Sequence, residues 1–424
     1  MSPLNLGGRS LVRAKMRAHI RLIYQMGQLE LLLTAAIASI IPGQLVRIPI
    51  FGQEGWFTLS DIFVLILAVS FLLYFFFNRI VIVVPKKLML PVATFSLFAV
   101  SSTVFALNQF SPKEILISSL FLVRFLLYFS IVIITLNVVK REKIENWLNI
   151  FFITGTILIL LGFVQLLFVP DLLFLTPYGW DPHETRIVSS FLDPNFIGVV
   201  FVFLASFSLS KYLFKKNLVL LVTFLFSSIA ILLTFSRSSY LAFLCALAVI
   251  GVLKSFRLTS LIILILFSSF ILVPQARERV VGAITFDETA KSRVESWQKA
   301  LRVFKDHFLI GVGFNTYRYS QESYGFFEND QGLGGHSGAG SDSSLLLVAA
   351  TTGVFGFAAF IWILISIRAT VAKSSKKSFI ALGALASFIG LVVHSQFVNS
   401  LFFPQIMLLF WFFVGLVSRE DDLR

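Results

Sequence analysis

The sequence predicts an all-α polytopic membrane protein of about twelve transmembrane helices, and three observations carry that reading. Charged residues make up only 13% of the 424 residues and hydrophobic ones 57%, whereas a soluble domain carries about a quarter charged residues. Apolar runs of roughly twenty residues recur along the whole chain, the length a helix needs to cross a bilayer core. The basic residues sit in short clusters between those runs, which is how cytoplasmic loops are marked.

Taken in order, spans are expected at 28–48, 57–77, 88–108, 115–136, 146–169, 190–210, 217–235, 238–254, 258–274, 343–367, 378–396 and 399–418. Pro42 interrupts the first and the eighth is short, but neither Pro nor Gly disqualifies a membrane helix. A basic stretch of Arg9, Arg13, Lys15, Arg17 and Arg21 precedes the first run. No convincing small-residue cleavage site follows it, so the run reads as a retained helix rather than a removed signal. The organisation is therefore 1–273 with helices 1–9, a large external loop at 274–342 between helices 9 and 10, and 343–424 with helices 10–12 and a cytoplasmic tail.

Counting cations fixes the expected orientation. With the N-terminus cytoplasmic, the inner segments hold 22 of the 35 basic residues. The short outer loops hold only Arg47, Lys113, Arg186 and Arg237, with Arg124 inside the fourth span. The polar 274–342 stretch is thereby placed outside, since long loops translocate largely regardless of charge. The formal net charge of +13 is this inside bias and not a nucleic-acid stripe. The single cysteine, Cys245, lies in an apolar run, which excludes an internal disulfide and leaves a thiol nucleophile unsupported.

Chemistry on a water-soluble or headgroup substrate is expected in the 274–342 loop and the loops on its side. Residues Thr289 to Phe304 read as an amphipathic helix suited to the membrane surface, with Val294, Trp297, Ala300, Leu301 and Phe304 at helical spacing. Arg293 lies four residues before Trp297, pairing an anion contact with a ring that can dock to lipid or sugar. The stretch Gly332 to Gly340 reads as irregular. Arg237, in the short turn Thr234-Phe235-Ser236-Arg237-Ser238-Ser239, is placed either to hold a phosphate through its planar fork or to anchor a headgroup. Arg186 precedes Phe191-Leu192-Asp193-Pro194-Asn195, where Asp193 can cap the next helix and Pro194 opens it. Arg124, about ten residues into its span, is either a diphosphate or conformational anchor in a deep external cavity, or a structural pair or snorkelling arginine.

Gly311-Val312-Gly313 is no P-loop, because no Gly-Lys-Ser/Thr follows and no strand precedes it; its tight backbone would shape a loop. His307, His336 and His394 are imidazoles at the outer side, and Asp342 stands at the entry to the tenth span. Asp342 and His336 are the candidates for a base acting on an acceptor hydroxyl, each equally readable as a cap or a loop residue. No metal motif is formed, and neither metal nor cofactor is expected.

In order and spacing these elements resemble the bacterial O-antigen ligase and O-antigen polymerase superfamily. The resemblance runs from about Phe191 to Gly356. It takes in Phe191-Leu192-Asp193-Pro194-Asn195, Ser236-Arg237, Arg293 with Trp297, His307-Phe308-Leu309-Ile310-Gly311-Val312-Gly313-Phe314, and Asp342-Ser343-Ser344-Leu345 with Gly353 and Gly356. The resemblance implies a metal-independent, inverting glycosyltransferase of the C type in the bacterial cytoplasmic membrane. Its donor would be undecaprenyl diphosphate-linked oligosaccharide and its acceptor a glycan-bearing lipid. It also implies diphosphate-neutralising arginines, carried over to Arg237, Arg186 and Arg293, and possible assembly with a polysaccharide flippase or chain-length regulator. Ligases of this group place a histidine, followed by Asn or Ser, eleven residues before a glycine. Here Asp342 stands eleven residues before Gly353, and His336 with Ser337 lies six residues too early. That departure weakens the lipid A-core ligase reading and favours polymerisation of repeat units or a divergent ligase, with transfer to lipid A-core, protein or another envelope acceptor as the alternative. A transporter or flippase is the competing class; against it stands the absence of a two-half repeat.

Overall fold

A computed structural model of the chain describes residues 25–50, 55–260, 262–264, 274–326 and 340–421. The described residues form an all-α membrane bundle with one small β-hairpin. The helices are α1 (25–38), α2 (Leu59–Asn78), α3 (Lys86–Phe105), α4 (Pro112–Val138), α5 (Ile144–Phe168), α6 (Pro194–Lys215), α7 (Leu218–Leu233), α8 (Arg237–Leu253) and α9 (256–260 and 262–264). They continue with α10 (Pro274–Ile284), α11 (Glu288–Asp306), α12 (Tyr317–Ser323), α13 (Ser344–Ala372), α14 (Phe379–His394) and α15 (Pro404–Asp421). Six of them, α2 to α6 and α13, are long and apolar enough to cross a bilayer, and α7, α8 and α14 are shorter apolar helices.

The helices begin where the sequence supplies caps. Thr58 with Asp61 opens α2, and Ser111 with Glu114 opens α4, each as a reciprocal capping box. Asp193 accepts from the backbone N–H groups of Asn195 and Phe196 to open α6, with Pro194 at its first position. Ser236, Asp287 and Ser343 do the same for α8, α11 and α13. All six caps lie at the end of the bundle that carries the described connecting residues 39–50, 55–58, 106–111, 169–193, 234–236, 274–326, 340–343 and 395–403.

α6 and α15 form the centre. Side chains from Ile197 to Lys211 on α6 are buried, as is the whole of α15 from Pro404 to Val417. α6 packs on α7, α8 and α14, while α15 packs on α4. Phenylalanines fill the gaps: Phe413 meets Phe207 at a ring separation of 4.2 Å and Phe151 at 4.8 Å. Exposed apolar side chains such as Leu72, Phe76, Leu97, Leu160 and Leu167 cover the outside of α2, α3 and α5, where lipid would replace water.

Two local structures differ from the linear reading. The first apolar run does not stay helical to residue 48: α1 ends at residue 38 and the chain turns through 39–44 into β1 (Arg47–Ile50), paired antiparallel with β2 (Gly55–Thr58). Pro42 cannot donate an intrahelical bond, and the Gln44 N–H is taken instead by the Ser190 carbonyl at 2.8 Å. The second is a break in α13 at Gly353, whose φ of 64° and ψ of −170° are non-helical. The break releases carbonyls of the preceding turn, and the 307–314 strap captures them. Val312 N–H donates to Ala350 O and Gly313 N–H to Thr351 O, both at 3.1 Å, and Val354 N–H donates to Phe308 O at 2.8 Å. Ser102 on α3 donates to the same Thr351 carbonyl at 2.6 Å.

The amphipathic α11 also departs from expectation. Its apolar face is turned onto α13 rather than lying free for a membrane surface: Ala300 and Val303 are fully buried in a cluster with Val312, Tyr317, Leu347 and Ala350. The Gly-rich stretch up to residue 339, with His336, lies outside the described residues.

The strap fits only because glycine occupies the break. A Cβ on Gly353 would stand 2.3 Å from the Leu309 carbonyl oxygen, and one on Gly311 2.4 Å from the Thr351 carbonyl carbon. Gly353→Ala and Gly311→Ala are therefore expected to lower the thermal unfolding midpoint of the detergent-solubilised protein by several degrees, reflecting strain of about 1–3 kcal/mol or more per site. Gly27→Ala, which meets nothing within 4 Å, should leave it unchanged. Equal midpoints for all three would refute the strap's role.

Candidate functional site

The capped end of the bundle encloses a cavity of about 770 Å³, within the size range of small-molecule sites. Seven arginines line it, Arg47, Arg124, Arg186, Arg237, Arg279, Arg293 and Arg318, against three aspartates, Asp181, Asp193 and Asp342. The N-termini of α6, α8, α11 and α13 open onto the same space, each adding the partial positive charge of its first turn. Such a site is built for an anion.

Arg186 is set in one wall by carbonyls rather than by acids. Its Nε–H donates to Thr234 O at 2.8 Å and Nη2–H to Phe235 O at 3.2 Å, which ties the 169–193 loop to the turn between α7 and α8. Burial, and then the neighbouring Arg279, lower its pKa to about 10, so it remains a cation at neutral pH. Arg237, at the first position of α8, is not the isolated arginine the sequence suggests. Its fork is closed on Asp287, with Nη1–H donating to Oδ1 at 3.0 Å and Nη2–H to Oδ2. The hydrogen bond to Arg237, foremost, lowers the Asp287 pKa. Arg293 and Arg279 form no salt bridge among the described residues. Burial lowers the pKa of Arg293 while nearby Asp342 raises it.

Asp342 lies just before the Ser343 cap of α13. Its backbone N–H donates to Ser296 Oγ at 3.0 Å, one turn along α11 from Arg293. Burial pushes its carboxyl pKa up to about 6, with Asp181 and Asp193 adding to the rise and Arg293 opposing it. Asn195, at the start of α6, accepts from Ser236 Oγ at 2.7 Å and so locks α6 to α8 beneath the arginines.

The geometry of Arg124 is that of a structural pair. Arg124 Nε stands 3.0 Å from Asp61 Oδ1. Asp61 also accepts from Tyr128 OH at 3.1 Å and from the Thr58 backbone N–H at 2.8 Å. A buried pair held this fully costs about 3–5 kcal/mol to break on one side. Arg124 borders the cavity floor with its charge already balanced.

Four predicted arginines and Asp342 are thus brought to one cavity, and three other predicted residues are not. Gly311 and Gly313 pack into the break of α13 and shape no part of the cavity wall. Trp297 rests on Phe397 with ring centroids 5.7 Å apart, behind the lining. His394 is fully buried with Nδ1 3.1 Å from Ser400 Oγ, and His336 lies outside the described residues. Arg47, Arg318 and His183, which no motif in the sequence singles out, line the cavity too. Arg47, in the sequence only a mark of topology, places its guanidinium 4.5 Å from the Trp56 ring and 4.1 Å from that of Trp180.

The raised Asp342 pKa has a signature in stability. Between about pH 4, the ordinary carboxyl value, and pH 6, the folded protein binds more protons at this group than the unfolded chain. Its contribution to stability therefore falls as pH rises through that window and stays unfavourable above it. Asp342→Asn is expected to melt several degrees higher than wild type at pH 7.5, with the gap closing near pH 4. A gap independent of pH in thermal melts would contradict this placement of the carboxyl.

Comparison with known proteins follows the same residues. Residues 222–361 match the family model described as O-antigen ligase. That segment contains Arg237, Arg279, Arg293, the 307–314 strap, Asp342 and the Gly353 break. No curated protein matches the chain. Over this segment the chain is similar to the O-antigen ligase family.

Proposed function

We propose that this protein transfers glycan from a polyprenyl diphosphate, of the undecaprenyl type, to an acceptor hydroxyl, and that it polymerises lipid-linked repeat units. The observation that carries this reading is the cavity lined by Arg186, Arg237, Arg293 and a carboxyl of raised pKa, Asp342, two of these arginines and the carboxyl lying in the family-matched segment. Arginine clusters bind diphosphate, and a carboxylate poised near neutrality takes a proton from a hydroxyl.

In the reaction, the acceptor oxygen attacks the anomeric carbon from the face opposite the diphosphate and inverts it. The new C–O bond forms as the bond from C1 to the phosphate oxygen breaks, and the lipid diphosphate leaves with the electron pair. Asp342 receives the acceptor proton. With a pKa of about 6 it is ionised at pH 7.5 yet a stronger base than an ordinary carboxylate. Arg186, Arg237 and Arg293 stabilise the charge gathered on the leaving diphosphate. In this reading the donor takes the place of the Asp287 carboxylate at the Arg237 fork.

The far end of the bundle carries Arg79, Lys86, Lys87, Lys140, Arg141, Lys143, Lys215, Lys216, Lys254, Lys373, Lys376 and Lys377. The positive-inside rule makes that end cytoplasmic, which supports a cavity at the outer face of the bacterial cytoplasmic membrane, twelve crossings and cytoplasmic termini. A second reading, ligase-type transfer to lipid A-core, protein or another envelope acceptor, is favoured by the description of the matching family itself. The two differ in the acceptor and share the donor site.

The purified protein, reconstituted with an undecaprenyl diphosphate-linked repeat unit, should give a ladder of lipid-linked products growing by one repeat, read by mass analysis. Transfer only after an envelope acceptor is added would assign the ligase reading. Arg237→Lys, which keeps charge and loses the fork, should lower turnover about tenfold or more. Asp342→Asn should lower kcat by about a hundredfold or more. Wild-type turnover in both variants would remove Arg237 and Asp342 from the mechanism.

A further inference from the structure

Outside the arginines and Asp342, one other titratable side chain of the cavity wall is deeply buried with its hydrogen-bonding capacity unmet. His183 is 7% exposed, lines the cavity, and neither Nδ1 nor Nε2 has a hydrogen-bond partner among the described residues. The Pro182 carbonyl weakly favours the charged ring, but its geometry falls short of a hydrogen bond. Leaving buried imidazole nitrogens unpaired costs free energy of the order of a lost hydrogen bond, so such a group marks a place where a partner is to arrive.

The surroundings of the ring identify that partner's chemistry. The backbone of His183 is fixed: its carbonyl accepts from Leu172 N–H at 3.0 Å, and Thr185 N–H donates to Pro170 O at 2.8 Å. Three residues on, Arg186 pins the loop to the α7–α8 turn. The ring is therefore presented by a held loop. Its charged neighbours are Arg186 and Arg279 on one side and Asp181 on the other. Burial, then Arg186, lower its pKa to about 4, so at neutral pH it carries one N–H donor and no charge. A third cation beside two arginines would be unfavourable without an anion; a neutral donor beside them is not. The ligand that satisfies this N–H and both guanidinium groups together is an oxyanion with several oxygens.

We infer that His183 is a donor-binding residue that hydrogen-bonds a phosphoryl oxygen of the polyprenyl diphosphate, alongside Arg186 and Arg279. This rests on the diphosphate reading of the cavity and deepens it. It extends the donor site beyond the family-matched segment, to the loop between α5 and α6. The imidazole adds direction where the arginines add charge: its N–H lies in a fixed ring plane, so it selects where one phosphoryl oxygen sits.

The test separates the ring's nitrogens from its bulk. His183→Phe fills the volume without a donor, and His183→Gln restores an N–H in a smaller, more flexible side chain. Binding of geranylgeranyl diphosphate to the detergent-solubilised full chain at pH 7.5 is compared with that of geranylgeraniol, with Arg186→Ala and Arg237→Ala alongside and a thermal melt for each variant. The expected result is about tenfold weaker diphosphate binding for His183→Phe, recovery of most of it in His183→Gln, and no change for the alcohol. A packing role predicts the reverse order, with Phe like wild type and Gln weaker. That order, or wild-type diphosphate binding in both His183 variants while the arginine variants lose it, overturns the assignment and leaves the diphosphate site standing. Wild-type binding in the arginine variants as well would overturn the site and this inference together.

Discussion

Mutual repulsion among the arginines of one cavity is the constraint on which the rest of this end of the molecule depends. In a medium of low polarity, like charges a few ångströms apart interact far more strongly than in water; beyond burial, Arg279 and Arg293 lower the pKa of Arg186, and Arg237 lowers that of Arg293. The fold keeps them together by different means. Arg124 is balanced by Asp61, Arg237 by Asp287, and Arg186 is fastened to two carbonyls that carry no net charge. Arg293 has the nearby Asp342 as its counter-charge, beyond salt-bridge distance. The result is a site whose surplus of positive charge is held in place and left for a ligand to neutralise.

Holding α11 over the cavity requires the break in α13. An unbroken helix would keep the Ala350 and Thr351 carbonyls for itself, and the 307–314 strap would have no place to bind. With the break at Gly353, the strap docks as a short rung across α13 and α3, sealed by Ser102 and by Thr103 Oγ1, which accepts from Phe314 N–H at 3.3 Å. α11 runs directly into this strap, and its buried face rests on the half of α13 before the break. The two glycine motifs of the sequence are thus one joint, and they act on the arginines only through the position of α11.

Much of the bundle was legible because hydropathy and helix caps are local. The edges of α2 to α8, α13 and α14 fall within a few residues of the apolar runs, and Asp193-Pro194 marked the start of α6. Arg186 and Arg237 were also visible, since isolated outer cations are rare against the inside bias, and Arg124 stood out as a charge inside a span. What escaped depends on partners far away in sequence. Arg237 and Asp287 are separated by 50 residues, and Arg124 and Asp61 by 63, so no window contains either pair. The hairpin at residues 47–58 was hidden because strand residues such as Ile48 and Ile50 read as the end of an apolar span. His183 had no periodic context in a Pro-rich loop, and only the folded wall shows that its nitrogens lack partners.

The placement of Asp342 ties the proposed base to the cation beside it. Arg293 and Ser296 lie one turn apart on the same face of α11, and Ser296 receives the backbone N–H of Asp342. A shift of α11 therefore moves the cavity-lining Arg293 guanidinium and the Asp342 carboxyl together. The same burial that raises the Asp342 pKa also lowers that of Arg293, so each group is less stable charged than it would be in water and each gains from the other's charge. Closing the cavity over a dianionic ligand would satisfy Arg293 and weaken its hold on Asp342. The carboxylate would then face less competition from the arginine and more repulsion from the ligand, and both changes raise its affinity for a proton. Binding of the anion and strengthening of the base are, in this arrangement, consequences of one electrostatic coupling.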